Sequence, residues 1–243
     1  MANNYFQFKQ FTVFQDKCAM KVCTDACLFG AIVANRQQSF HHSRDAVHCL
    51  DIGTGTGLLS LMYAQKDPFA IIDAVEIDGQ AAGQAKENFA ASPWAGRLNI
   101  FNTDILVLHS PEKYDLIFSN PPFFEDDLRS PDEFKNSAKH DTTLDLKQLL
   151  HVVGTYLTNE GSFAALLPYH RVEYFTSEAY KTGLHPVEHI MVKQTAKHDP
   201  FRGILFFSKR KKELQSREII IKDAEGKYTT GFTAALKDYY LHL

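Results

Sequence analysis

From about residue 46 onward, short apolar runs alternate with stretches whose apolar residues recur at helical spacing. That alternation predicts βαβ units wound around a mostly parallel sheet. Val47 to Ile52 reads as a buried strand, followed by a glycine-rich turn and an apolar helix from about Leu58 to Gln65. Ala70 to Ile77 is a second strand, and Gly79 to Ala90 carries Ala82, Ala85 and Phe89 at helical intervals. Leu98 to Phe101 and Tyr114 to Phe118 supply strands three and four. Leu144 to Leu157 and Val172 to Thr182 read as helices flanking a fifth strand, Gly161 to Leu167. His189 to Gln194 and Gly203 to Ser208 follow closely enough to form an antiparallel closing pair. The expected architecture is an α/β, Rossmann-like fold: a mostly parallel seven-stranded sheet with helices on both faces.

Two pieces lie outside that core, so one domain is expected over residues 1–243, with an N-terminal extension (1–45), a core (46–210) and a C-terminal extension (211–243). The first holds an aromatic, strand-like segment from Tyr5 to Phe14, then a helix from about Asp25 to Asn35 with Thr24 placed as its N-cap. The second ends in a short helix, Phe232 to Tyr240. Between Glu125 and Asp141 the chain is polar and irregular, and long loops of that kind tend to carry function.

Composition narrows the class. Hydrophobic residues make up 44% and charged ones 23% of 243, ordinary for a globular protein with a core. No stretch approaches the roughly 18 unbroken apolar residues of a membrane span, and Met1 to Phe11 lacks a signal peptide's basic-then-apolar order. The expected location is therefore cytoplasmic. Cys18, Cys23, Cys27 and Cys49 form no CxxC pair and read as buried thiols; the alternative is a zinc site in which Cys23 and Cys27, four apart on one helical face, join His48 or Cys49. We expect no metal. The net charge of −3 hides a locally basic run containing Lys193, Lys197, Arg202 and Lys209 to Lys212, which is either a solvated face or an RNA contact.

The chemistry is carried by four motifs, each at the end of a predicted strand. Asp51-Ile52-Gly53-Thr54-Gly55-Thr56-Gly57 lets the backbone turn tightly and approach a ligand. Its spacing is GxGxG, not the GxGxxG of a pyrophosphate binder. Asp51 would repel a pyrophosphate and suits a cationic ligand such as S-adenosylmethionine. Glu76 lies 25 residues after Asp51, near the distance at which such folds set an acid on ribose hydroxyls. Asp78 reads as a helix cap. Asp104 either accepts from an adenine amino group or caps a loop. Ser119-Asn120-Pro121-Pro122-Phe123 decides the reaction type. An amine conjugated to a π-system is a poor nucleophile; the Asn120 side-chain oxygen and Pro121 carbonyl would accept its two N–H bonds, Pro121 and Pro122 would stiffen the turn, and Phe123 would stack on a planar substrate. No general base is needed, so His41, His42 and His140 are assigned to the surface.

Together these residues resemble the amino-group branch of the class I methyltransferases. Phe8-Lys9-Gln10-Phe11-Thr12-Val13, Met20 to Ala26 and Gly231 to Tyr240 sharpen this to the bacterial family that methylates N6 of an adenosine beside the anticodon of valine tRNA. Cys23 and Ala26-Cys27 depart from the small residues expected there. The resemblance implies S-adenosyl-L-methionine as cofactor, a tRNA partner, a monomer, and a cofactor site made of Lys21, Thr24, Asp51, Gly53, Gly55, Gly57, Glu76, Asp104 and Asn120. Lys21 to Asp25 would border the methionine end, with Thr24 offering a hydroxyl there or simply capping a helix. N5-methylation of a glutamine in a translation factor satisfies the same Asn-Pro-Pro acceptors and is the nearest rival. A nicotinamide oxidoreductase is disfavoured by the GxGxG spacing and Asp51, and a silent RNA-binding relative by the intact tetrapeptide.

Overall fold

The seven expected strands all form, and their order in the sheet places the described residues of the four strand-end motifs on one rim. The computed structural model describes residues 3–36, 46–108, 112–121 and 145–243. Its strands are β1 (Tyr5–Gln7), β2 (Thr12–Phe14), β3 (His48–Ile52), β4 (Ile71–Glu76), β5 (Leu98–Asn102), β6 (Tyr114–Ser119), β7 (Leu157–Pro168), β8 (His185–Lys193), β9 (Arg202–Ser208) and β10 (Gln215–Ile220). Its helices are α1 (Thr24–Ala34), α2 (Leu58–Lys66), α3 (Gly79–Ala90), α4 (Leu146–Tyr156), α5 (Val172–Lys181) and α6 (Thr230–Leu236). The main sheet runs β10-β8-β9-β7-β6-β3-β4-β5, and every pairing is parallel except the two made by β9.

Alternation along the central strands builds two cores. Leu116 and Phe118, with Ala164 and Leu166, face α1, α2, α3 and α6. Ile117, with Phe163, Ala165 and Leu167, faces α4 and α5. Near-continuous apolar strands are the expected sequence of a parallel sheet covered on both sides.

Six expectations need correction. The sheet has eight strands, not seven. β10 comes from the C-terminal extension, and its Gln-Ser-Arg-Glu start is exposed, so an edge strand was hidden by polarity. The aromatic segment Tyr5 to Phe14 is a hairpin rather than one strand, because the Phe8 N–H turns back onto the Phe11 carbonyl (2.8 Å) and the two rings stack. β7 begins at Leu157, directly after α4, and α6 is shorter than its predicted span, with Thr229 as cap accepting from the Phe232 N–H. Thr24 is the first residue of α1 rather than its cap; Cys23 caps it, and Cys23 is exposed rather than buried.

The parallel strands deliver their carboxyl ends to one rim, while β9 enters there at Arg202 and leaves at the opposite rim after Ser208. Lys209 to Lys212 therefore lie at the far end of the sheet. The Lys209 ammonium donates to the Leu157 carbonyl at the start of β7 (2.7 Å), and Arg210 pairs with Glu160.

Candidate active site

β3 ends in a turn that only glycine tolerates at three places. Gly53, Gly55 and Gly57 have φ of 72°, 56° and 83°, in the left-handed region. A Cβ added at Gly53 or Gly55 meets nothing within 4 Å, so both face open space, whereas one at Gly57 would run into the Phe89 ring. Two glycines thus leave room for close approach by a ligand, and the third serves packing. The turn passes into α2 without a side-chain cap, leaving its first N–H groups for a ligand.

Asp51 is fully buried behind this turn. Its Oδ2 accepts from the hydroxyls of Thr54 and Ser60, each at 2.7 Å, while Oδ1 has no partner. Burial pushes its carboxyl up to about 6, and the nearby charge of Glu76 pushes the same way, against the hydrogen bonds from Thr54 and Ser60. An acceptor oxygen left open in a buried site fits a cationic donor such as an ammonium. A pH dependence follows. The folded pKa lies above the ordinary 3.8, so the folded chain keeps this proton longer than the unfolded one. Apo stability should fall as pH rises from about 4 to about 6 and then level off. The cofactor's ammonium favours the carboxylate, so affinity should climb over the upper part of that window, by at most about tenfold per pH unit. Thermal melts with and without S-adenosylmethionine check this: the gap should widen with pH, and Asp51→Asn should flatten it.

Glu76, at the end of β4, reaches across to the turn. One carboxylate oxygen accepts from the Gly55 N–H (2.9 Å) and the other from the Asp78 N–H (3.0 Å). Each oxygen retains a lone pair, as two ribose hydroxyls would require. Asn102 ends β5 opposite Glu76 in the sheet. Its amide donates to the Glu76 and Ile77 carbonyls (2.9 and 3.2 Å) and holds this strand end. Asp78 caps α3 as expected, accepting from the Ala81 N–H (2.7 Å). Ile77 between them is 53% exposed, an apolar face offered at the rim. Its signal was available, since an isoleucine between two acids has no core role. Asp104 accepts from the Leu106 N–H (2.9 Å) and caps a short turn, which is the blander of its two expected roles, and it remains half-exposed beside Glu76's strand.

Asn120 follows β6, one strand from the glycine turn. The preceding Ser119 fixes it there by donating its hydroxyl to the Ile52 carbonyl (2.8 Å), which ties the ends of β3 and β6 together. Asn120 is half-buried and Pro121 buried. Pro122, Phe123, the Glu125 to Asp141 loop, His41, His42 and His140 lie outside the described residues.

The N-terminal segment crosses the same rim. Lys21 does not hold a free ammonium towards the pocket: it donates to the Gln15 and Cys18 carbonyls and closes that loop. The loop lies beside Glu76: burial, and then the charge of Glu76, push the Cys18 thiol up to about 11. Asn88, which sequence reasoning passed over as a helical polar residue, is buried. It pairs with both backbone groups of Phe14 and donates to the Thr56 carbonyl (2.8 Å), joining the hairpin to the glycine turn. Thr24 and Asp25 stand at the other end of the crossing, with Asp25 bound to Arg202 (2.8 Å).

Among the described residues no group of three His, Cys, Asp or Glu side chains is gathered as metal ligands, and no helix is long and apolar enough to cross a membrane. The sheet order and the residues on its carboxyl rim define a class I S-adenosylmethionine-dependent methyltransferase. Residues 33–161 match the family model described as methyltransferase small domain. A tRNA1(Val) (adenine(37)-N6)-methyltransferase of Bacteroides thetaiotaomicron is 40% identical over 244 residues, covering 100% of both chains. One from Citrobacter koseri is 38% identical, covering 100% of this chain and 97% of its own. The chain belongs to the tRNA1(Val) (adenine(37)-N6)-methyltransferase family. The fold is also similar to the crystal structure of a predicted O-methyltransferase from Agrobacterium tumefaciens. The TM-score is 0.62 at 13% identity, covering 87% of this chain and 95% of that one, a likeness of fold alone.

Proposed function

We propose that this chain methylates N6 of the adenosine at position 37, beside the anticodon, of a valine tRNA. The observation that carries the reading is the placement of Asn120 and Pro121 at the end of β6, tied through Ser119 to the glycine turn, in a chain similar over its whole length to enzymes of that name. Asp51 would hold the cofactor's ammonium, Glu76 its ribose, and Ile77 with Asp104 its adenine. When bound, S-adenosylmethionine supplies a methyl group already activated by a sulfonium. The protein's part is to position the acceptor. The Asn120 amide oxygen and Pro121 carbonyl accept the two N–H bonds of the target amine, which aims its lone pair and favours a tetrahedral nitrogen. Pro121 keeps these acceptors aimed, and the tied N-terminal segment excludes water from the methionine end. Labelled methyl transfer to total tRNA, followed by nucleoside analysis, tests this; the product expected is N6-methyladenosine. We place the enzyme in the cytoplasm with its tRNA and propose that it works as a monomer, expected to sediment as a single chain.

The position of Lys209 to Lys212 changes one expectation from the sequence. That stretch, with Lys193 and Lys197 in support, was a candidate for the phosphates flanking the target base, yet it occupies the rim opposite Asn120. Replacing the three lysines of that run with glutamine should leave KM for tRNA within about twofold, as for a solvated surface. Steady-state kinetics at two salt concentrations check it; a flattened salt slope would return the run to the RNA interface.

A further inference from the structure

A concavity opens on the rim that carries Asn120. It has a volume of about 300 Å³ and is walled by Thr24 and Asp25 of α1, Gln194 after β8, Phe201 before β9, and Lys222 and Tyr228 beyond β10. We propose that this cleft receives the base of a nucleotide flanking the target adenosine, so that the enzyme holds its RNA at two bases. The proposal rests on the RNA reading above and extends it to a cleft lined by neither Asn120 nor Glu76.

Position is the first argument. From β6 to β8 the sheet takes three steps, through β7 and β9, or about 14 Å at the usual strand spacing. A splayed single strand covers that distance in a few nucleotides, and anticodon loops are read in splayed form. The cleft is therefore within reach of neighbours of a base seated at Asn120, whereas Lys209 to Lys212 are not.

Chemistry is the second. Phe201 and Tyr228 offer two aromatic faces for stacking, the sequence-tolerant part of single-strand recognition. The Gln194 amide, the Thr24 hydroxyl and the Asp25 carboxylate present donors and acceptors for a base edge. Asp25 carries a negative charge, but Arg202 neutralises it at 2.8 Å while leaving oxygen lone pairs to accept from an amino group. Lys222 supplies a cation beside the Tyr228 ring, and Lys197 and Lys227 are exposed nearby in the chain, where the phosphates of the same strand would pass.

Rigidity is the third. Phe201 is pinned on both sides, its N–H donating to the Val192 carbonyl (3.0 Å) and its carbonyl accepting from the Tyr169 N–H (3.1 Å). Lys222 donates its N–H to the Gln194 carbonyl (2.9 Å). Tyr228 bridges back to Lys222 across a turn organised by the Asp223 carboxylate, and it stacks on the buried Phe232. Walls held in this way lose little freedom when a base enters, which is the condition for a recognition site rather than a chance hollow.

The test uses the full chain, S-adenosylmethionine, and a valine tRNA transcript, intact or carrying one abasic residue at each position flanking the target in turn. Tyr228→Ala, and separately Gln194→Ala with Lys222→Ala, should raise KM for the intact transcript about tenfold. Turnover at saturating tRNA and affinity for S-adenosylmethionine should stay within twofold. Tyr228→Phe keeps the ring and should keep the parent KM. One abasic position should cost the parent a similar factor and add nothing in Tyr228→Ala. The double variant of Gln194 and Lys222 alters partly exposed side chains and reports even if Tyr228→Ala folds poorly. KM within twofold of the parent in both variants, or abasic penalties equal in parent and Tyr228→Ala at every position, overturns the cleft as a base site while leaving the RNA reading intact. Failure of the parent itself to methylate the transcript overturns the RNA reading, and the cleft's role with it.

Discussion

Replacing Asn120 with alanine should lower turnover by about a hundredfold or more while leaving S-adenosylmethionine affinity close to that of the parent. Removing one aimed acceptor from a preorganised site costs that much in comparable oxyanion-type sites. The loss should be kinetic because the cofactor groups named above, Asp51, the glycine turn and Glu76, sit on β3 and β4, whereas Asn120 follows β6. The Ser119 hydroxyl holds the strand end on the Ile52 carbonyl, so the alanine variant should keep its backbone. Single-turnover methyl transfer beside calorimetric titration of S-adenosylmethionine separates the two effects. Parent-like transfer by the variant would remove Asn120 from the chemistry, and a large loss of cofactor affinity would make it a binding residue instead.

The complementary loss is expected at Glu76. Glu76→Ala deletes the acceptor proposed for two ribose hydroxyls and also that for the Gly55 and Asp78 N–H groups. Hydrogen bonds to a charged group are worth about 1.5–3 kcal/mol, so cofactor affinity should weaken by tens-fold or more. Glu76→Gln keeps one carbonyl oxygen and should lose less. The fold should survive, because Asn102 still holds the strand end through the Glu76 backbone carbonyl. Titration calorimetry, with circular dichroism as the control for folding, checks this. An unchanged dissociation constant would exclude Glu76 from the cofactor site.

How far the sequence revealed this site follows from what each residue does. Asp51, the three glycines, Glu76 and Asn120 were legible as candidates because each sits at or just past a strand end, where its residue type has a special potential use: a left-handed turn, an acceptor pair, an amide that can be aimed. Ser60, Asn88, Asn102 and Ser119 were not, since each acts on the backbone or side chain of a residue distant in sequence, and hydroxyls and amides in helices or strand ends are common without such partners. β10 was missed because an edge strand satisfies its polar face with water, which erases the two-residue alternation. The hairpin at the N-terminus read as one strand because Phe8 and Phe11 at its turn are themselves apolar and buried. Composition likewise could not place Lys209 to Lys212. A charge run gives sign and density, but only the antiparallel course of β9 sets which rim it occupies.

The central claim is methylation of one adenosine nitrogen in RNA, and it is tested most directly with two valine tRNA transcripts that differ only at position 37. Incubated with the purified chain and labelled S-adenosylmethionine, the transcript with adenosine there should take up about one methyl group per molecule, recovered as N6-methyladenosine, while the transcript with guanosine should take up none. Equal labelling of both transcripts, or label recovered as N5-methylglutamine from a translation factor added in place of the RNA, would contradict it.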